Sequence, residues 1–186
     1  MLPHTCGSAS TRLPFDECWR FMASSNSWEM ATDEISRDIN RAAHAFHEDW
    51  GIIMAGGREN DGDCCSYNVT YTTSGSDFKD IEPLPDSTIY FCVAGINSSH
   101  IFVTGLGKDE KDTYMYSTWT NKWEQLPSMP TGRRYAGCEV IRFEDGSNSV
   151  VVVGGYLDDI EGRLDTVEIY LVDKRQWIPG TLKTLL

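Results

Sequence analysis

The sequence is short of positive charge. Lysine and arginine number 16 against 28 aspartates and glutamates, which leaves a net charge of −12 at pH 7. A chain this acidic repels polyanions, so nucleic acid and anionic membrane surfaces are not expected as main partners. No apolar run approaches the length of a membrane span, and no membrane insertion is expected. The opening stretch, Met1 to Glu17, lacks the apolar core of a signal peptide. Histidine is scarce too, with only His4, His44, His47 and His100. His44 and His47 stand three apart in "AHAFH", a strand-like stretch, where they point to opposite faces and cannot easily share a metal. None of the six cysteines forms C-x-x-C, which removes zinc ribbons and thioredoxin-type sites. Scattered buried thiols are the favoured reading over a disulfide framework. "NDGD" (Asn60 to Asp63) opens like a calcium loop but lacks the later glutamate. No metal or other cofactor is expected.

What is there is a glycine turn that repeats. "GIIMAGG", "HIFVTGLG" and "VVVVGG" each drive a short apolar run, suited to a buried strand, into glycines. Their first glycines, Gly56, Gly105 and Gly154, are spaced 49 residues apart in both intervals. The companions are Gly57, Gly107 and Gly155. A single such turn could open a phosphate loop. These have neither G-x-G-x-x-G nor a following Lys-Ser/Thr, and Asp158 and Asp159 would repel phosphate.

Two further landmarks recur. Tyr116 precedes Trp123 by seven residues, and Tyr170 precedes Trp177 by seven. "CWRFMASSNSW" has the same shape, with Phe21 in the tyrosine place and Trp28 closing. In "CSYNVTYTTSGSDF", Tyr67 lies 49 residues before Tyr116 and Phe78 takes the closing place. Prolines then end each unit, as in "EPLPDS" and "EQLPSMPTGRR". Units near fifty residues with four short strands have the size of propeller blades.

The glycine turns, the spaced tyrosine and tryptophan and the "LPSMPTGRR" crossing resemble kelch repeats, over about residues 17–186. The resemblance implies an all-β fold: a kelch-type β-propeller fragment of four-stranded antiparallel blades with an incomplete ring. The expected division is a tail at 1–16, the outer two strands of a partial blade at 17–38, repeats at 39–85, 86–131 and 132–182, and a tail at 183–186. Remaining blades of a longer chain are expected to complete the ring. The glycines let the second strand turn sharply. The resemblance implies that Tyr67, Tyr116, Tyr170, Trp28, Trp123 and Trp177 pack between sheets.

In a four-stranded meander, the loops joining strands two and three share an end with the crossings between blades. Those loops are acidic. "RENDGD", "KDEKD" and "DDIEGRLD" carry −6 of the chain's −12. The expected partner face comprises Glu59, Asp61, Asp63, Asp109, Asp112, Asp158, Asp159, Glu161 and Arg163 from the loops. The crossings add Arg41, Arg133 and Arg134. It is expected to suit a protein partner with a basic or mixed-charge segment. The resemblance implies a non-catalytic protein-interaction module, with substrate recruitment for a ubiquitin ligase as one form. An extracellular glycan- or matrix-associated protein is the alternative, permitted by the sequons at Asn68 and Asn97 and by the cysteines. A copper-dependent propeller oxidase is least favoured, because its histidine ligands are missing.

Overall fold

The structure, a computed structural model, describes residues 4–6, 18–22, 24–32, 42–57, 66–73, 78–86, 89–157 and 162–180. These residues form strands joined by turns, and no helix occurs among them. Three four-stranded antiparallel sheets follow one another along the chain. The first is β4 (Ala43–His47), β5 (Gly51–Ala55), β6 (Val69–Thr72) and β7 (Lys79–Asp80). The second is β8 (Cys92–Asn97), β9 (His100–Leu106), β10 (Asp112–Ser117) and β11 (Lys122–Leu126). The third is β12 (Gly137–Arg142), β13 (Asn148–Val153), β16 (Val167–Leu171) and β17 (Gln176–Gly180). Each is a meander, and the inner strand β8 packs between β4 and β12. This is the incomplete propeller: the described sheets stack as successive blades and do not close a ring.

Before them lies a three-stranded sheet of β1 (His4–Cys6), β2 (Cys18–Met22) and β3 (Ser27–Thr32). The expected tail at 1–16 therefore contributes a strand. β1 pairs along β2 from His4–Arg20 to Cys6–Cys18 and takes the second-strand place of that blade. The partial blade is one strand larger than its two-stranded expectation.

The unbroken apolar runs reflect burial on both faces of the middle strands. In β9, Ile101 and Val103 enter the core shared with the first full blade, while Phe102 enters the core shared with the third. In β13, Val150 and Val152 face the second blade and Val151 faces away from it. One tryptophan hooks the second blade to the first, and another hooks the third to the second. Trp123 Nε1 donates to the Glu82 carbonyl and Trp177 Nε1 to the Pro127 carbonyl, both at 2.8 Å.

Two expectations are corrected by the packing. Tyr67 precedes β6 and is 48% exposed, so it is not the counterpart of Tyr116. Register puts Thr72 in that place, because Ile52 pairs with Thr72 as Ile101 pairs with Tyr116. Thr72 lies sixteen residues after Gly56, as Tyr170 lies sixteen after Gly154, whereas Tyr116 lies only eleven after Gly105. A fixed step misplaces the residue because the second blade's loop is shorter. Trp28, on β3, is 48% exposed, and no blade precedes its sheet among the described residues. Cys92 and Cys138 are not thiols: they form a disulfide with a Cα separation of 6.0 Å. It joins the inner strands of the second and third blades, β8 and β12.

Candidate functional site

Arg133 and Arg134 follow each other in the crossing between the second and third blades, and the extended chain sends them to opposite sides. Arg133 goes inward and is fully buried. Its guanidinium donates to the carbonyls of Gly154 (2.9 Å) and Thr166 (3.2 Å), and its Nη2 lies 3.2 Å from Glu168 Oε2. The other Glu168 oxygen accepts the Thr131 N–H at 3.1 Å. Burial pulls the Arg133 pKa below its ordinary value, and Glu168 offsets part of that. An arginine still stays charged under such conditions. The buried pair ties the crossing to the glycine turn at Gly154. Arg133 was expected on the partner face; it is a structural tie, because its side chain is fully buried and its guanidinium bonds to the crossing and the glycine turn inside.

Arg134 goes outward. Its Nε pairs with Glu110 Oε1, half-buried. Its backbone exchanges hydrogen bonds with Tyr156, N–H to carbonyl at 3.1 Å and carbonyl from N–H at 2.9 Å. That bridge holds the start of the third blade's loop, where β14 (Tyr156–Leu157) pairs with β15 (Gly162–Arg163). Gly155 must be glycine here. Its φ is +101°, and a Cβ would lie 2.9 Å from the Arg134 carbonyl oxygen. Gly132 is constrained too, because a Cβ there would overlap the carbonyl oxygen of Asp109.

These ties frame a cleft of about 610 Å³ between the two blades, on the end that carries the loops. The second blade's loop contributes Lys108, Asp109, Glu110 and Lys111. The crossing contributes Pro130, Thr131, Gly132 and Arg134, and Leu157 supplies an apolar spot on the far wall. The loop is fixed to the crossing by Met129 N–H to the Lys111 carbonyl (2.8 Å) and Arg133 N–H to the Glu110 carbonyl (3.2 Å). Three cations and two acids line the cleft. It is therefore mixed in charge rather than acidic.

Of the expected partner-face residues, the structure brings Asp109 and Arg134 together in this cleft. Asp112 is elsewhere: it begins β10, and its carboxylate accepts from Ser128 Oγ at 3.2 Å. Arg163 sits on β15, paired opposite Tyr156. Arg41, Glu59, Asp61, Asp63, Asp158, Asp159 and Glu161 lie outside the described residues. Sequence reasoning passed over Lys108, Glu110, Lys111 and Leu157. The charged run "KDEKD" was the available signal for the first three, but its net charge hid the alternation of sign. The loop beginning at Tyr156 stood out after its glycine turn, but nothing singled out Leu157 within it.

On the inner strand β4, His44 is exposed near the loop end and His47 is half-buried at the far end, on alternating faces. Among the described residues, no three of histidine, cysteine, aspartate and glutamate come together as a metal site would require.

Comparison with known proteins places this geometry. Residues 91–130 match the family model of the Kelch motif, which spans the second blade from β8 through β11 and the start of the crossing. Kelch-like protein 24 from Homo sapiens is 25% identical over 159 residues, covering 83% of this chain and 25% of that protein. Kelch-like protein 24 from Rattus norvegicus and from Mus musculus match to the same extent. The chain thus spans about a quarter of the length of these curated relatives.

Proposed function

We propose that this kelch-repeat chain, part of a propeller, works as a non-catalytic module that binds another protein through the cleft between its second and third blades. The cleft itself carries the reading. It is preorganised by buried hydrogen bonds, lies on the loop end, and offers Lys108, Lys111, Asp109 and the Arg134–Glu110 pair beside the apolar Leu157. Such a surface suits a segment that brings both signs of charge and one apolar side chain. Further blades of a longer chain would cover the third blade's open face, where Val151, Val167 and Ile169 cluster.

The test is Asp109→Lys with Lys111→Glu in the full-length protein. Crosslinked partners should be lost, while Lys122→Glu, at the opposite end of the second blade, should keep them. Identical partner profiles for all three proteins would refute the assignment of the cleft.

Recruitment for a ubiquitin ligase is one form such a module takes, and it places the chain in a reducing compartment. The second reading, an extracellular glycan- or matrix-associated protein, is favoured by the Cys92–Cys138 disulfide, since structural disulfides persist where the surroundings are oxidising.

A further inference from the structure

We infer that Asn97 is a site of N-linked glycosylation, which places this chain in the secretory pathway. The sequence offers two acceptor triplets, Asn68-Val69-Thr70 and Asn97-Ser98-Ser99, and they differ in what the fold does with the asparagine amide.

Asn97 ends β8 at the tight turn into β9, with Ser98 exposed. Its Oδ1 accepts the Ser99 N–H at 2.9 Å and the Ser99 hydroxyl at 3.0 Å, and His100 Nδ1 lies 3.1 Å away. A backbone N–H can only donate, so the atom facing Ser99 is the oxygen, and Nδ2 points the other way. Nδ2 has no partner among the described residues. All these contacts span three residues or fewer, so the turn can form in a nascent chain before the blades assemble. The Asn97 backbone is fixed separately, its carbonyl accepting from Trp50 Nε1 at 2.8 Å. Beside it, Trp119 is 85% exposed with its ring 6.4 Å from that of His100, an open apolar face for the first sugars to cover.

Asn68 is used differently. Its Nδ2 donates to Ser66 Oγ at 2.8 Å, and the Thr70 hydroxyl of its triplet is buried. The amide that a glycan would occupy is part of the fold.

The disulfide is the independent observation. Cys92 and Cys138 are joined across two blades, which fits a chain folded under oxidising conditions, where acceptor asparagines meet the transferase. In the transfer, the bond from Asn97 Nδ2 to the anomeric carbon forms. The bond from that carbon to the pyrophosphate of a lipid-linked oligosaccharide breaks. The amide proton passes to a base of the transferase, and the lipid pyrophosphate leaves.

The experiment expresses the full-length transcript with its own N terminus in cultured eukaryotic cells. Mobility is read before and after endoglycosidase, and disulfides are mapped by mass spectrometry. The expected result is an endoglycosidase-sensitive form that loses one glycan in Asn97→Gln and in Ser99→Ala, keeps it in Ser99→Thr and is unchanged in Asn68→Gln, with Cys92 joined to Cys138. Protein without glycan, or with its glycan on Asn68 alone, would overturn the inference. So would Cys92 and Cys138 recovered as free thiols.

Discussion

The junction between the first and second full blades and that between the second and third are built from the same apolar repeat but tied differently. At the first, Ile53, Ala55 and Val69 meet Val93, Ile101, Val103 and Tyr116. At the second, Ala94, Ile96 and Phe102 meet Val150, Val152, Tyr170 and Trp177. Each has an indole hook onto the preceding blade, and the first also has Trp50 Nε1 donating to the Asn97 carbonyl. Among the described residues, only the second adds a disulfide on the inner strands and a buried Arg133–Glu168 pair at the loop end. The apolar repeat is enough to stack blades. The added ties sit beneath the cleft, and their work is to hold its walls at a fixed separation, as a binding site on rigid elements requires.

The sharpest way to break this difference is Arg133→Met. It strands Glu168 in the interior and unties Gly154, Thr166 and Thr131 together. Removing one partner of a buried pair costs about 3–5 kcal/mol. The full-length protein should lose that much in chemical denaturation, and amide exchange should rise at 130–134 and 154–156 while the first junction stays protected. Next is the double variant Cys92→Ser with Cys138→Ser. The two cysteines are 46 residues apart in sequence, and a disulfide closing such a loop is worth about 2–4 kcal/mol. That loss should make the two junctions more nearly equal in denaturant. A loss confined to the first junction in either case would contradict the comparison.

The hooks test what the junctions share. Trp177→Phe and Trp123→Phe each remove one indole donor to a carbonyl of the preceding blade, worth about 1 kcal/mol. Trp177 is the more buried of the two, so its variant should lose more, read as the difference between the two denaturation midpoints.

Much of the architecture could be read from the chain because blades are local. The glycine turns, the Tyr–Trp spacing and the closing prolines each lie within one unit. What could not be read arises between units. A 49-residue step found the turns but misplaced Tyr67, since loop length varies while strand register does not. Cys92 and Cys138 stand close to one blade length apart, a spacing that brings successive inner strands together, yet it looked like scatter without the stacking. Arg133 and Arg134 were indistinguishable as letters. Which of them enters the interior depends on Glu168, far along the chain. The cleft was legible only as an end of the molecule, and its mixed charge came from Lys108, Lys111 and Glu110, which the net charge of the loop concealed.

The smallest expected effects come from the paired tyrosines, one at each junction. Tyr116 OH donates to Asn121 Oδ1 at 2.8 Å, so Tyr116→Phe should cost about 0.5–1 kcal/mol at neutral pH. Both phenols are pushed above their ordinary value mainly by burial; Tyr71 and Glu82 add to the rise at Tyr116, and Arg175 pulls Tyr170 partway back. The folded chain therefore holds these protons more tightly than the unfolded chain does. Their contribution is full below the unfolded value of about 10 and is lost as pH rises through the raised folded values. Stability should thus fall on the alkaline side, and Tyr170→Phe should flatten that fall while Tyr116→Phe both flattens it and lowers the plateau. Denaturation midpoints compared at about pH 8 and about pH 10.5 read the two apart. An alkaline loss of equal size in the parent and in the double phenylalanine variant would show that neither junction's tyrosine senses its burial.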